Sequence, residues 1–529
     1  MAIRDKRRSL LKRRTGGNMP RACFERLEER RLLSSESFQP GTYVFQDLDG
    51  DKVTVSIDDA SLRIVTNDDT GKWEEIEVNG GSSLTTHLNI SVKKANGGDG
   101  RLEVDTINGE EIFSLKAPNV AITGIGVGFR KARHIWIGSL KNDAVVQTFE
   151  PNKGSATTFR ASVMNTTGQS FIADDMKLVK VGRWLDGTLN VGGGLLNLRV
   201  TGEYKGEINV DRGLFLPGFR RRFFLTRKIQ IDGPASGTLR FTRTFVLKLY
   251  LKQGTVEPDD GGNGFFYLTN SFSARKVIIN GDLLGRFSIE KSLNKFLVTG
   301  NVDADVDMIN VGKINIRGNV DNTFNYRDAD KIAIDGSVDG SLVGRFAKKV
   351  IIGGDVTGNL RFVRNSPGNR IGVRTLKVMG KMDGGKIVSS AGMGNIYIAG
   401  GMFNSQIAAG AHPNRVPKDR FPADLDELKT NDDFRSSNIN SVRIGYNRSG
   451  ESFFTQSYIL AWDIRNVKLG YAQAEDVSSE AFGVGAFTVG RVDYVSSNFT
   501  YHRSGLRAFR ITDGKFMVAR LTGTYPVGP

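Results

Sequence analysis

The sequence predicts an all-β protein, a parallel β-helix (β-solenoid) with turns of about 18 residues behind a β-rich N-terminal cap. Three observations predict it. Glycine is abundant and proline scarce, 63 against 13 in 529 residues. The apolar residues are mainly Val, Ile, Leu and Phe in short alternating runs, which suits strands between tight turns. One pattern recurs along the chain: apolar, any, apolar, any, Gly, any, then Val, Leu or Met.

The pattern is clearest between residues 277 and 402, as VIINGDL, FLVTGNV, INIRGNV, IAIDGSV, VIIGGDV, LKVMGKM and IYIAGGM. Its glycines are Gly281, Gly300, Gly318, Gly336, Gly354, Gly380 and Gly400. Gly300 to Gly354 are evenly spaced, the steps at Gly281 and Gly400 are slightly longer, and the step from Gly354 to Gly380 is the longest. Weaker copies end at Gly202, Gly233, Gly470 and Gly490, so the array is expected to run from about 100 to 520. Period-two alternation places Ile332 and Ile334 inward and Ala333 and Asp335 outward. The glycine is expected to supply the bend, with Val338, Leu342 and Phe346 as the next inward residues before Val350 restarts the cycle.

No such turn is stable alone. Three or four buried side chains at roughly 1.5–3 kcal/mol each fall well short of ordering eighteen residues at roughly 1–2 kcal/mol each. Stacking adds hydrogen bonds on both faces and makes the core continuous, and it leaves two open ends to be capped. Residues 36–100, with Val53, Val55 and Ile57 beside the turn at Asp49-Gly50, are expected to form one cap, and residues 101–529 the array. An insertion at 412–438, from His412-Pro413 through Asp424, Asp426 and Glu427, breaks the repeat and is read as a loop with a short helix.

Residues 1–35 differ from the rest. They hold eleven Lys/Arg against Asp5, Glu25, Glu28 and Glu29, an excess of +7 that leaves +9 of the chain's +16 for everything after it. So diffuse a remainder does not read as a nucleic-acid interface. Cys23 is the only cysteine, which excludes disulfides and thiolate metal sites from the body. His87, His134, His412 and His502 lie far apart in the sequence, which excludes local His-x-His ligation. No run of 18 apolar residues occurs, so no transmembrane helix is expected, and the leader lacks the apolar stretch of a standard secretory signal.

Residues Phe24 to Ser34 read as a short basic amphipathic helix following the cationic stretch Arg4 to Arg14, a surface-seeking targeting segment. It resembles the LEPR-x-LL signature at the N-terminus of large exported planctomycete proteins, through Leu27, Glu28, Arg30, Leu32 and Leu33. One position departs: Glu29 stands where the family has proline, which leaves the helix unbroken. The body, from the opening Asp47-Leu48-Asp49-Gly50-Asp51 onward, is similar to the uncharacterised β-repeats that often follow this leader. The resemblance in the leader is confined to Phe24 to Ser34; it implies export to the cell surface or extracellular space and brings no catalytic residues.

Two columns could carry chemistry. Five residues before the glycine stand Lys276, Lys295, Lys313, Lys331 and Lys349. Such a ladder either covers strand edges with its stems or meets an anionic polymer, a sulfated or carboxylated polysaccharide or another cell-envelope component. Three residues after it stand Asp303, Asp321, Asp339 and Asp383, with Thr357 between. These, and the turn Asp47, Asp49, Asp51, either form Asx-turns or share Ca²⁺, the one cofactor the sequence suggests. The cluster Phe219 to Phe224, with Arg220, Arg221 and Arg222, joins cations to aromatics in a short loop.

Gly380 to Lys386 nearly spells a phosphate-binding loop, but Ile387 stands where Ser or Thr should hold Mg²⁺. Gly124 to Gly128 lacks the helix of a dinucleotide fold. No catalytic residue is assigned. The expected function is a structural or adhesive protein of the cell envelope or extracellular space. The alternative is a polysaccharide-binding or polysaccharide-degrading β-helix, which would need converging carboxylates that only the 412–438 excursion could supply.

Overall fold

Alternation in segments such as Lys313-Ile314-Asn315-Ile316 commits every second side chain to one face, and the computed structural model turns each such segment into a strand whose apolar face is buried. The structure describes residues 34–67, 69–150, 156–173, 175–211, 225–242, 244–256, 267–270, 273–363, 371–410, 437–445, 452–472, 482–495, 500–506, 510–513 and 516–520. The protein is all-β, and among these residues there is no helix, hence none long and apolar enough to cross a membrane. Residues 1–33 of the leader, the Phe219 to Phe224 cluster and the insertion core with His412, Asp424, Asp426 and Glu427 lie outside the described residues, while Ser34 and Ser35, expected to belong to the leader, open the strand Ser34–Phe38.

Pairing begins antiparallel and becomes parallel. Gly41–Gln46 pairs with Lys52–Ile57, which pairs with His87–Lys93, all antiparallel. Ser34–Phe38 pairs with Ser61–Thr66, which pairs with Trp73–Asn79, in the same sense. Trp73–Asn79 and His87–Lys93 then each receive Leu102–Asn142 in parallel. Parallel ladders follow up to Phe482–Val495, where antiparallel pairing returns with Thr500–Leu506 and in the pair Arg510–Asp513 with Phe516–Arg520.

Within the central repeats three buried ladders recur. One aligns Ile279, Val298, Ile316, Ile334 and Ile352. A second is a run of single bridges through Val302, Val320, Val338, Val356 and Met382. The third aligns Phe287, Val306, Phe324, Leu342 and Leu360. All are buried, and they belong to one core cluster that extends from Val53 to Val518. Like sits on like because each repeat presents the same position to its neighbour.

One local expectation is corrected. Phe346 is only half-buried; Ala347, paired with Ala329, takes the inward place, because Asp328 pairs with Phe346 and the chain has turned one residue later than simple alternation suggests. The repeat glycines all lie at bends, as expected, but the bend is not what requires glycine at most of them. Of the seven, only Gly281 has a left-handed φ, 113°. The others are needed for close approach: a Cβ at Gly318 would strike Asn301 Oδ1 and the Gly300 backbone, and one at Gly336 would strike Asn319 Oδ1 and the Gly318 backbone.

The residue after each glycine explains the crowding. Asp282 Oδ1 accepts the Asn301 N–H (2.6 Å), Asn301 Oδ1 that of Asn319 (2.9 Å), and Asn319 Oδ1 that of Ser337 (2.9 Å). Ser337 Oγ then accepts the Asp355 N–H at 3.0 Å, and Asp355 Oδ1 the Lys381 N–H at 2.8 Å. This chain of side-chain-to-backbone bonds satisfies amide donors at the corner, where strand pairing has lapsed.

Candidate functional site: a basic face on the repeat array

The five lysines spaced along the sequence are brought into one column by strand register. Lys276 pairs with Lys295, Lys295 with Lys313, Lys313 with Lys331 and Lys331 with Lys349. Neighbouring strands lie about 4.8 Å apart, which sets the spacing of the column. Register adds a sixth member, Lys248, opposite Lys276. The repeat period could not reveal it, because the step from Lys248 to Lys276 is much longer than any other in the column. The column ends at Lys349, whose next partners are Thr375 and then Asn395.

The lysines are half-buried or exposed. Among the described residues, Lys248, Lys295, Lys313, Lys331 and Lys349 have no hydrogen-bond or ion-pair partner for the ammonium group, and Lys276 only lies against the Tyr250 ring, 5.9 Å from its centroid. The adjoining column, two residues on, is Tyr250, Ile278, Leu297, Asn315, Ala333 and Ile351, without a carboxylate. Like charges at this spacing repel by about 1 kcal/mol per pair in water-like surroundings, and salt screens that further. An anionic polymer lying along the column would remove the repulsion and release counterions.

The aspartate column is also assembled, at a different corner. The bridges Val302 to Val320 to Val338 bring Asp303, Asp321 and Asp339 into succession. Burial, then Asp339, Asp303 and Asp282, push the Asp321 carboxyl above its usual range. Thr357 Oγ1 donates to Asp339 at 2.6 Å, and Asp383 is paired with Lys381 at 2.9 Å.

Asp47, Asp49 and Asp51 converge, their nearest oxygens lying within 4.8 Å of one another. Much of their capacity is spent on backbone donors. Asp47 Oδ1 accepts the Asp51 N–H (2.7 Å), Asp51 Oδ1 that of Ala95 (2.6 Å), and Asp49 Oδ2 that of Asp99 (2.9 Å). Only the Asp47 bond is local; Asp49 and Asp51 tie the Asp-Gly turn to residues 95–100, far along the chain, which is a tertiary link and not an Asx-turn.

Burial and the shared hydrogen bond with Asp49 push Asp47 up to about 6. A carboxyl raised from 3.8 to about 6 binds more protons folded than unfolded, so its stabilising contribution is complete below pH 3.8 and is lost as pH rises through 6. Asp47→Asn keeps the accepting oxygen and removes the charge. Its melting temperature should exceed that of the wild type at pH 7.5 and match it at pH 3.5; after discounting for solvent exposure the gain is about 1 kcal/mol.

The other candidates are placed without gaining a role. Gly124 to Gly128 lies inside the strand Leu102–Asn142, and Gly380 to Lys386 joins short strands with no helix behind it. A surface groove of about 300 Å³ is lined by Phe171, Asn190, Asn209, Asp211 and Arg240 and presents a single carboxylate, Asp211. Among the described residues, the Asp47 turn is the one group of three carboxylates within such reach. No protein-family model, curated protein or solved structure matches the chain.

Proposed function

We propose that this chain is an exported, non-catalytic parallel β-helix that acts as a structural or adhesive protein at the cell surface, binding linear acidic polysaccharide along its lysine column. The observation that carries the reading is the run of six in-register lysines from Lys248 to Lys349, with no carboxylate in the column two residues on and the exposed Asp330 as the one acidic residue directly preceding a member. A periodic row of cations recognises a periodic polyanion better than it does a compact ligand. The β-helix is supported by three buried ladders that repeat at a common offset, as from Ile316 to Ile334 to Ile352. The antiparallel strands at both ends serve as caps that close the ladder edges, and the leader's resemblance supports export.

The test presents the full chain with sulfated, carboxylated and neutral polysaccharides across a salt series. Acidic polymers should be retained, with log K falling linearly against log salt as counterions are released. Lys295→Gln, Lys313→Gln and Lys331→Gln combined should weaken retention by about tenfold or more while leaving the fold intact, since the change only relieves repulsion. Indifference to all acidic polymers would overturn the reading. Shortening of the polymer would replace it with a degrading function.

A further inference from the structure

Close to the start of the parallel array, a second group of cations gathers around aromatic rings. The Phe113 ring lies between two imidazoles, His87 at 4.9 Å and His134 at 5.1 Å between centroids, with the Arg133 guanidinium 5.8 Å from it. Beside it the half-buried Trp136 indole has Lys116 Nζ at 5.7 Å and the Arg160 guanidinium at 5.8 Å. Strand register places Arg160 directly opposite Trp136.

These cations lack counter-ions. Among the described residues Lys116, Arg133, Arg160 and Lys177 form no ion pair, and Arg133 Nε is buried without a hydrogen-bond partner. Their neighbours show the contrast: Arg130 and Lys131 both reach Glu111, at 2.6 and 2.9 Å. The charges converge on His134, which is held below the usual imidazole range by burial first and then by Lys177, Arg160, Arg133 and His87. Arg133 as a whole is half-buried, and a guanidinium without a counter-ion is a fork for carboxylate or sulfate. Flat rings beside it offer apolar contact to the face of a sugar.

We infer that Lys116, Arg133, Trp136 and Arg160 form a binding site for a single acidic sugar residue, carboxylated or sulfated, at the N-terminal end of the basic face. The cations hold the anionic group, and the indole and Phe113 pack against the ring. The site deepens the polysaccharide reading and rests on it for the identity of the polymer. From Arg160 the same column continues through Lys180 and Arg199, the latter paired with Asp232 at 3.4 Å, and further along it Tyr250 borders the lysine ladder at Lys276, so a chain end held at Trp136 would be directed toward the ladder.

The test uses the full chain and a sulfated or uronate-containing disaccharide, too short to span the lysine ladder. Trp73, Trp184 and Trp462 are at most 5% exposed, so acrylamide quenching of tryptophan fluorescence reports chiefly on Trp136. The disaccharide should protect the indole. Lys116→Gln with Arg160→Gln should weaken its binding at least tenfold, and Trp136→Phe should abolish the signal and weaken binding measured by calorimetry. The triple lysine-column variant should bind the disaccharide as the wild type does. Failure to protect Trp136 while polymer is still retained by the lysines would overturn this site alone; loss of both would overturn the polysaccharide reading with it. Equal protection by an oligonucleotide of the same charge would overturn the sugar assignment.

Discussion

Gly318→Ala is expected to destabilise the central repeats by about 3 kcal/mol, a cost that comes from space because the position has an ordinary φ. The new methyl would meet Asn301 Oδ1 and the carbonyl of Gly300, and overpacking of this kind costs about 1–3 kcal/mol. Displacing Asn301 also releases the Asn319 amide that it accepts at 2.9 Å, worth about 1 kcal/mol more. Removing the asparagine side chain as well should give little relief, because backbone atoms crowd the same point. Gly128→Ala is the control: nothing lies within 4 Å of its Cβ position and its φ is not left-handed, so it should be neutral or mildly stabilising. Denaturant midpoints of the two variants separate the close-approach role from the general flexibility of glycine.

Phe324→Ala should cost about 3–5 kcal/mol, the usual range for emptying a buried phenylalanine site. The ring is fully buried, stands between Val306 and Leu342 in its ladder, and meets the Phe296 ring edge-on at 5.9 Å. Strands above and below are held by parallel hydrogen bonds, so the cavity cannot easily collapse. Phe346→Ala, at the half-buried position beside Ala347, should cost about 1 kcal/mol or less. Equal midpoints for the two variants would contradict the assignment of Phe324 to the interior and Phe346 to the rim.

Much of the candidate face was legible because it obeyed the period. Lys276 to Lys349 recur at a fixed distance before each glycine, and register only had to place them side by side. Lys248 was hidden by the long excursion that separates it from Lys276. The Trp136 group was hidden more thoroughly: His134 pairs with Thr158 and Thr158 with Leu178, at unequal offsets, so no constant spacing marks its members. The ladder of Asp282, Asn301, Asn319, Ser337 and Asp355 was in plain view beside the glycines. The sequence does not mark it as a repeat, because its members differ in type and share only an acceptor oxygen.

Strand identity, the repeat period and the all-β class follow from the sequence by itself, since alternation and turn residues act over a few neighbouring positions and need no partner to be recognised. The tertiary structure alone decided that Ala347 and not Phe346 turns inward, that Gly318 is small to make room for Asn301, and that Lys116, Arg133 and Arg160 crowd together without a carboxylate. Each of these depends on which residue of the next repeat lies opposite, and the hydrogen-bonded register between repeats sets that at corners where alternation stops.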